Sequence, residues 1–109
     1  MDNLESAKTL IGLLDLTTLN DNDTNETIAT LCQKAISQYG NTASVCIYPQ
    51  FIPYAKSILP KDFKVATVVN FPHGIANNTL LEKEIISAIS TGADELDVVL
   101  PYKTFLSGD

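Results

Sequence analysis

The sequence predicts an α/β fold: four parallel strands with flanking helices, forming half of a (β/α)8 barrel, in a single domain over residues 1–109. Three observations lead there. Short β-branched runs alternate with stretches of helical periodicity, an order that builds a parallel sheet with right-handed crossovers. The runs recur roughly every 25 to 30 residues, about the length of one strand-helix unit. Within each run the two faces differ, one polar and one apolar. A closed barrel tolerates that pattern, because helices cover its outward face while its inward face can carry polar groups. A doubly wound sheet, covered on both sides, requires both faces apolar.

The elements follow in order. Leu4, Ala7, Leu10, Ile11 and Leu14 recur at helical spacing and run into LLDLTTL, residues 13–19, the first strand. In the polar cluster NDNDTNE, Asp23 is placed to cap a helix and Glu26 to reach back to it. That helix carries Ile28, Leu31, Cys32, Ala35 and Ile36 on one face, and Gly40 with Asn41 is expected to end it. TASVCIYP, residues 42–49, is the second strand, and a short helix follows over 51–59. KVATVVNFP, residues 64–72, is the third strand. Thr79 and Glu82 have capping-box spacing for a helix that uses Leu81, Ile85, Ala88 and Ile89, with Gly92 at its end. DELDVVL is the fourth strand, and residues 102–109 begin another helix.

Counting by twos sorts the strand side chains. Leu13, Asp15 and Thr17 share a face, as do Thr42, Ser44 and Cys46, and Glu95, Asp97 and Val99. Val45, Ile47, Leu96, Val98 and Leu100 fall opposite. Asp15, Cys46 and Asp97 are expected toward the C-terminal ends of their strands on the polar face, where the active sites of such barrels lie. A carboxylate inside a strand is costly to bury without a partner, so Asp97 reads as a paired or functional acid. Asp15 reads equally as a turn acid. Cys46 reads first as a small core residue, Glu95 as the partner of a lysine near the barrel bottom, and His73 as a loop residue. No metal-ligand spacing, glycine-rich phosphate loop or Ser-His-Asp arrangement is present.

A net charge of −6, with every basic residue a lysine and none clustered, argues against a nucleic-acid or anionic-membrane surface. No apolar run approaches the ~18 residues of a membrane span, and the N-terminus has no signal-like pattern, so a cytoplasmic location is expected. Cys32 and Cys46 are then expected to be free thiols.

Four blocks, LLDLTTLN, GNTASVCIYPQFIP, VATVVNFPHG and GADELDVVLPY, resemble the N-terminal half of the deoxyribose-phosphate aldolases in order and spacing across essentially the whole chain. The resemblance implies a TIM barrel of which this chain supplies the first four strands. It implies a class I aldolase of deoxyribonucleotide catabolism, which cleaves 2-deoxyribose 5-phosphate to acetaldehyde and glyceraldehyde 3-phosphate through a lysine Schiff base, with no metal and no cofactor. It makes Asp97 the catalytic carboxylate of the proton relay, and Asp15, Thr17, Leu19, Cys46 and Phe71 substrate-binding residues. In that family the Schiff-base lysine and its companion lysine lie on the sixth and seventh strands, and the phosphate loops come late, so this chain alone is expected to be inactive. The partners expected are a small phosphorylated sugar for the full-length family and a second copy of the chain. The second copy would form a homodimer through exposed strand edges, with no nucleic acid and no membrane. The alternatives are a receiver-like signalling module, disfavoured by the lone Asp15 where an acidic pair would hold magnesium, and a non-catalytic assembly domain.

Overall fold

A computed structural model describes residues 2–108. Helix α1 (Asn3–Ile11) is capped by Asp2, whose side chain accepts the Glu5 amide at 2.8 Å. Strand β1 (Asp15–Thr17) leads to α2 (Asn25–Ala35). The cap of α2 is Thr24 rather than Asp23, in a reciprocal box with Thr27 rather than Glu26. The Asp23 carboxylate is engaged one step earlier. It accepts the Thr18 hydroxyl at 2.9 Å and the Asn20 amide at 3.1 Å, closing the loop that leaves β1.

Helix α2 also stops short of Gly40. Ile36 turns to extended backbone, and β2 (Ile36–Ser37) pairs antiparallel with β3 (Gly40–Asn41). The positive φ of Gly40, 128°, therefore serves a hairpin and not a helix end. Strand β4 (Ser44–Ile47) runs through a 3-10 turn at Pro49–Phe51 into α3 (Ile52–Ile58). Strand β5 (Lys64–Val69) is followed by α4 (Asn78–Thr91), β6 (Glu95–Val98) and α5 (Tyr102–Leu106). Asn77 caps α4 by accepting the Leu80 amide at 3.1 Å, so the Thr79–Glu82 pattern is not the cap: the helix starts ahead of it. Gly92, at φ 114°, ends α4 as its sequence position predicts.

The main sheet has the order β1-β4-β5-β6, with every pair parallel. Its outward side chains, Val45, Ile47 and Val65, pack with Ile28, Leu31 and Ala35 of α2 and Ile52 and Ala55 of α3 into the principal core. Thr67 is buried on the same side and donates to the Ile47 carbonyl at 2.6 Å, which satisfies its hydroxyl. Burial is concentrated on β4 and β5 and falls off at β1 and β6, the two edges. Helix α4 differs from its expectation here. Only Ala88 is buried, Leu81 and Ile85 are half-buried, and Ile89 is 58% exposed, because among the described residues no element packs on its far side. Among the described residues no helix is long and apolar enough to cross a membrane.

Candidate functional site

Strand register arranges the inner face in layers. The bottom layer sets Asp15, Ser44 and Lys64 side by side, and the next sets Thr17, Cys46, Ala66 and Glu95. Above them Val68 stands beside Asp97. Asp97 therefore occupies the upper layer expected for it. Asp15 does not, because β1 begins at this residue and pairs it with the first residue of β4. Its carboxylate is held by the Ser44 hydroxyl, which donates to Oδ1 at 2.6 Å.

Cys46 is buried at the middle of this arrangement, in a small cluster with Ala66 and Val68 against which Leu19 and Tyr48 pack. Burial pushes its thiol above the ordinary range. The Thr17 hydroxyl opposes that shift, and the negative charges of Asp97, Asp15 and Glu95 add to it. Such a thiol stays protonated and is a poor nucleophile. Thr17 is fixed by its own hydroxyl, which donates to the Cys46 carbonyl at 2.8 Å.

Asp97 itself is exposed, not buried as its strand position suggests. β6 is an edge of the sheet, and among the described residues no strand pairs with its free side. No side-chain hydrogen bond engages its carboxylate among the described residues. Glu95 is exposed as well, and among the described residues it has no lysine partner of the kind expected for it. Among the described residues the one ion pair joins Lys56 of α3 to Asp94, at 2.7 Å. Asp94 also accepts the Val65 amide at 3.0 Å, which ties the start of β6 to the start of β5. Partial burial raises the Asp94 carboxyl, but the Lys56 and Val65 hydrogen bonds and the charges of Lys56 and Lys64 outweigh it and hold the group below the usual carboxylate range.

Above the sheet, Leu19, Tyr48 and Phe71 form one wall. The Tyr48 hydroxyl donates to the Leu19 carbonyl at 3.2 Å, and its ring meets Phe71 edge-on with centroids 6.0 Å apart. Phe71 belongs to the loop between β5 and α4, and so does His73, which is exposed.

The residue organising that loop was not singled out from sequence. Asn70 has a left-handed backbone, φ 62°, and uses every polar atom of its side chain. Its Nδ2 donates to the carbonyls of Ile75 at 2.9 Å and Val99 at 3.0 Å, and its Oδ1 accepts the Ile75 amide at 3.0 Å. Its own amide donates to Glu84 of α4 at 2.8 Å. One side chain thus ties the Phe71 loop to the backbone just beyond Asp97. Gly74 completes the junction: a Cβ there would lie 2.3 Å from the Leu100 carbonyl oxygen. The sequence signal was an asparagine directly after a β-branched run, the residue type besides glycine that tolerates positive φ.

Lys64 is on the inner face in the bottom layer, and Lys103 lies in α5 beyond the upper rim.

Residues 9–109 match a family model described as DeoC/LacD family aldolase. The chain belongs to that family. Its fold matches a candidate deoxyribose-phosphate aldolase from Toxoplasma gondii with a TM-score of 0.83 at 25% identity, covering 96% of this chain and 40% of that one. An aldolase designated QR15 matches at 0.77 and 29% identity, over 89% of this chain and 42% of the other. The deoxyribose phosphate aldolase of Aeropyrum pernix, described as having a unique tetrameric structure, matches at 0.76 and 25% identity, over 92% and 42%. This aldolase-family chain therefore spans about two fifths of the length of the structures it resembles. Its four parallel strands with their helices are the half-barrel that the strand faces predicted.

Proposed function

We propose that this chain is the N-terminal half-barrel of a class I aldolase that cleaves 2-deoxy-D-ribose 5-phosphate to acetaldehyde and D-glyceraldehyde 3-phosphate, and that it is inactive alone. The observation that carries the reading is the accessible, unengaged carboxylate of Asp97 in the upper layer of the inner face, in a chain of the DeoC/LacD family. In this role Asp97, directly or through a water molecule, moves the proton at the acetaldehyde carbon as the enamine forms and is consumed. Cys46 and Leu19 would line the pocket, Phe71 would wall its side, and Thr17 and Asp15 would supply polar contacts below. Inactivity follows from the lysines: Lys103 is exposed in α5, beyond the upper rim, and not on the inner face. Lys64 lies in the wrong layer.

The same reading includes a homodimer through the open strand edges. A cytoplasmic setting is also part of it, supported by two free, buried cysteines. The test is reduction with borohydride in the presence of acetaldehyde, followed by intact mass measurement. No adduct is expected on the 109-residue chain. A stable lysine adduct would overturn the claim of inactivity.

A further inference from the structure

We propose that Asp94 is a positioning residue for Asp97: its side chain fixes the register of β6 on β5 and so decides which residue of that strand stands beside Val68. The inference rests on the reading of Asp97 as the proton-moving carboxylate and adds what holds it in its layer.

The pattern of β6 leaves its register underdetermined. Glu95, Asp97 and Val99 alternate with Leu96, Val98 and Leu100. A slip of one residue would turn the apolar set inward, and the alternation opposes it. A slip of two keeps Leu96, Val98 and Leu100 outward, and the hydrogen-bond pattern of a parallel ladder recurs with the same period. Either direction displaces Asp97 from Val68, by about 6.6 Å along the strand. Hydrophobic patterning therefore does not choose among these registers, and side-chain contacts have to.

One direction is closed by a proline. In the observed register the Val99 amide donates to the Val69 carbonyl at 3.0 Å. Bringing Val99 down beside Val68 would put Pro101, which has no amide hydrogen, in its place. The other direction brings Glu95 up beside Val68, and Asp94 opposes that one. The Asp94 amide donates to the Val65 carbonyl at 2.8 Å and its carboxylate accepts the Val65 amide at 3.0 Å, so one residue brackets both main-chain groups of Val65. After the slip Gly92 would face Val65, with no side chain to accept that amide. Lys56 of α3 donates to the same Oδ2 at 2.7 Å and aims the carboxylate. Asn70 holds the upper end of the strand through the Val99 carbonyl at 3.0 Å, but every residue carries a carbonyl, so that grip accepts any register. Asp94 is thus the side chain that distinguishes the observed register from the one that puts Glu95 where Asp97 belongs.

Nuclear magnetic resonance on the isotope-labelled full chain tests this. The parent should give one set of β6 signals, with Overhauser contacts between Val68 and Asp97. In Asp94→Ala the amides of Glu95–Val98 should exchange about tenfold faster while those of β4 are unchanged, and a second set of β6 signals should appear in which Val68 meets Glu95. Asp94→Asn keeps an oxygen for the Val65 amide and Lys56→Ala keeps the carboxylate, so both should hold the parent register. An alanine variant with a single set of signals, the Val68–Asp97 contact intact and exchange in β6 no faster than in the parent overturns the proposal. Slippage in Asp94→Asn or Lys56→Ala equal to that in Asp94→Ala also overturns it, because the hold would then lie in the ion pair and not in the bond to Val65. None of these readouts depends on catalysis, so the register proposal and the reading of Asp97 can fail separately.

Discussion

Replacing Asn70 by alanine removes three hydrogen bonds, two donated by Nδ2 to Ile75 and Val99 and one accepted from the Ile75 amide, while the backbone is still asked for a φ of 62°. Each such bond contributes about 0.5–1.5 kcal/mol net, and the partial exposure of this loop argues for the lower half of that range, so the three together are worth about 2 kcal/mol. The left-handed backbone adds about 1 kcal/mol for a residue with an ordinary Cβ. Asn70→Ala should therefore cost about 3 kcal/mol, and Asn70→Gly, which relaxes only the backbone, about 2 kcal/mol. Urea unfolding monitored by circular dichroism reads both. For a chain of this size each kcal/mol should move the melting temperature by about 4–8 °C. An alanine variant within about 0.5 kcal/mol of the parent, the usual scatter of neutral surface changes, would show that the Asn70 bonds do not hold the loop. Equal costs for alanine and glycine would refute the backbone part alone.

Gly74→Ala should be at least as damaging, at about 2–4 kcal/mol, because its Cβ meets the backbone oxygen of Leu100 and its φ is 65°; thermal melts check it. The Asp94 carboxyl is depressed in the folded state, so its contribution is present above the unfolded value and is lost as pH falls through the folded one. Asp94→Asn is accordingly expected to cost less than about 1 kcal/mol at pH 7, as a surface pair does, with the gap to the parent closing in acid. Urea midpoints at pH 7 and pH 3 measure it. Both Cys32 and Cys46 are raised by burial, so neither thiol should react with Ellman's reagent within minutes at pH 7.5 in the native state, whereas both should react in guanidinium.

The parts of this fold that periodicity can report were legible. Val45 and Ile47 against Cys46 is a period-2 pattern, and the structure puts the first two in the principal core and the third in the inner cluster. The parts set by competition between neighbours were not. Asp23 and Thr24 are both good caps, and the choice fell to Thr24 because the Asp23 carboxylate closes the loop behind it. Gly40 looks like a helix terminator until Ile36 takes extended backbone and makes a hairpin. For the candidate site, alternation gave the face of Asp15 but not its layer, which depends on where β1 begins and on its register with Ser44. Asn70 escaped notice because three of its bonds run to main-chain atoms, and main-chain partners leave no trace in residue identity.

Helix α4 is fastened at its ends more than along its length. Glu84 in its second turn holds the Asn70 amide, Gly92 turns the chain sharply at its exit, and Asp94 beyond is pinned to β5, while Ala88 alone is buried. A helix held this way can peel from the sheet without disturbing the α2–α3 core, so its amide protons should exchange through a local opening well below the energy of global unfolding. Strand β6, which follows α4 and carries Asp97, would then be the strand whose order depends most on what else docks beside it.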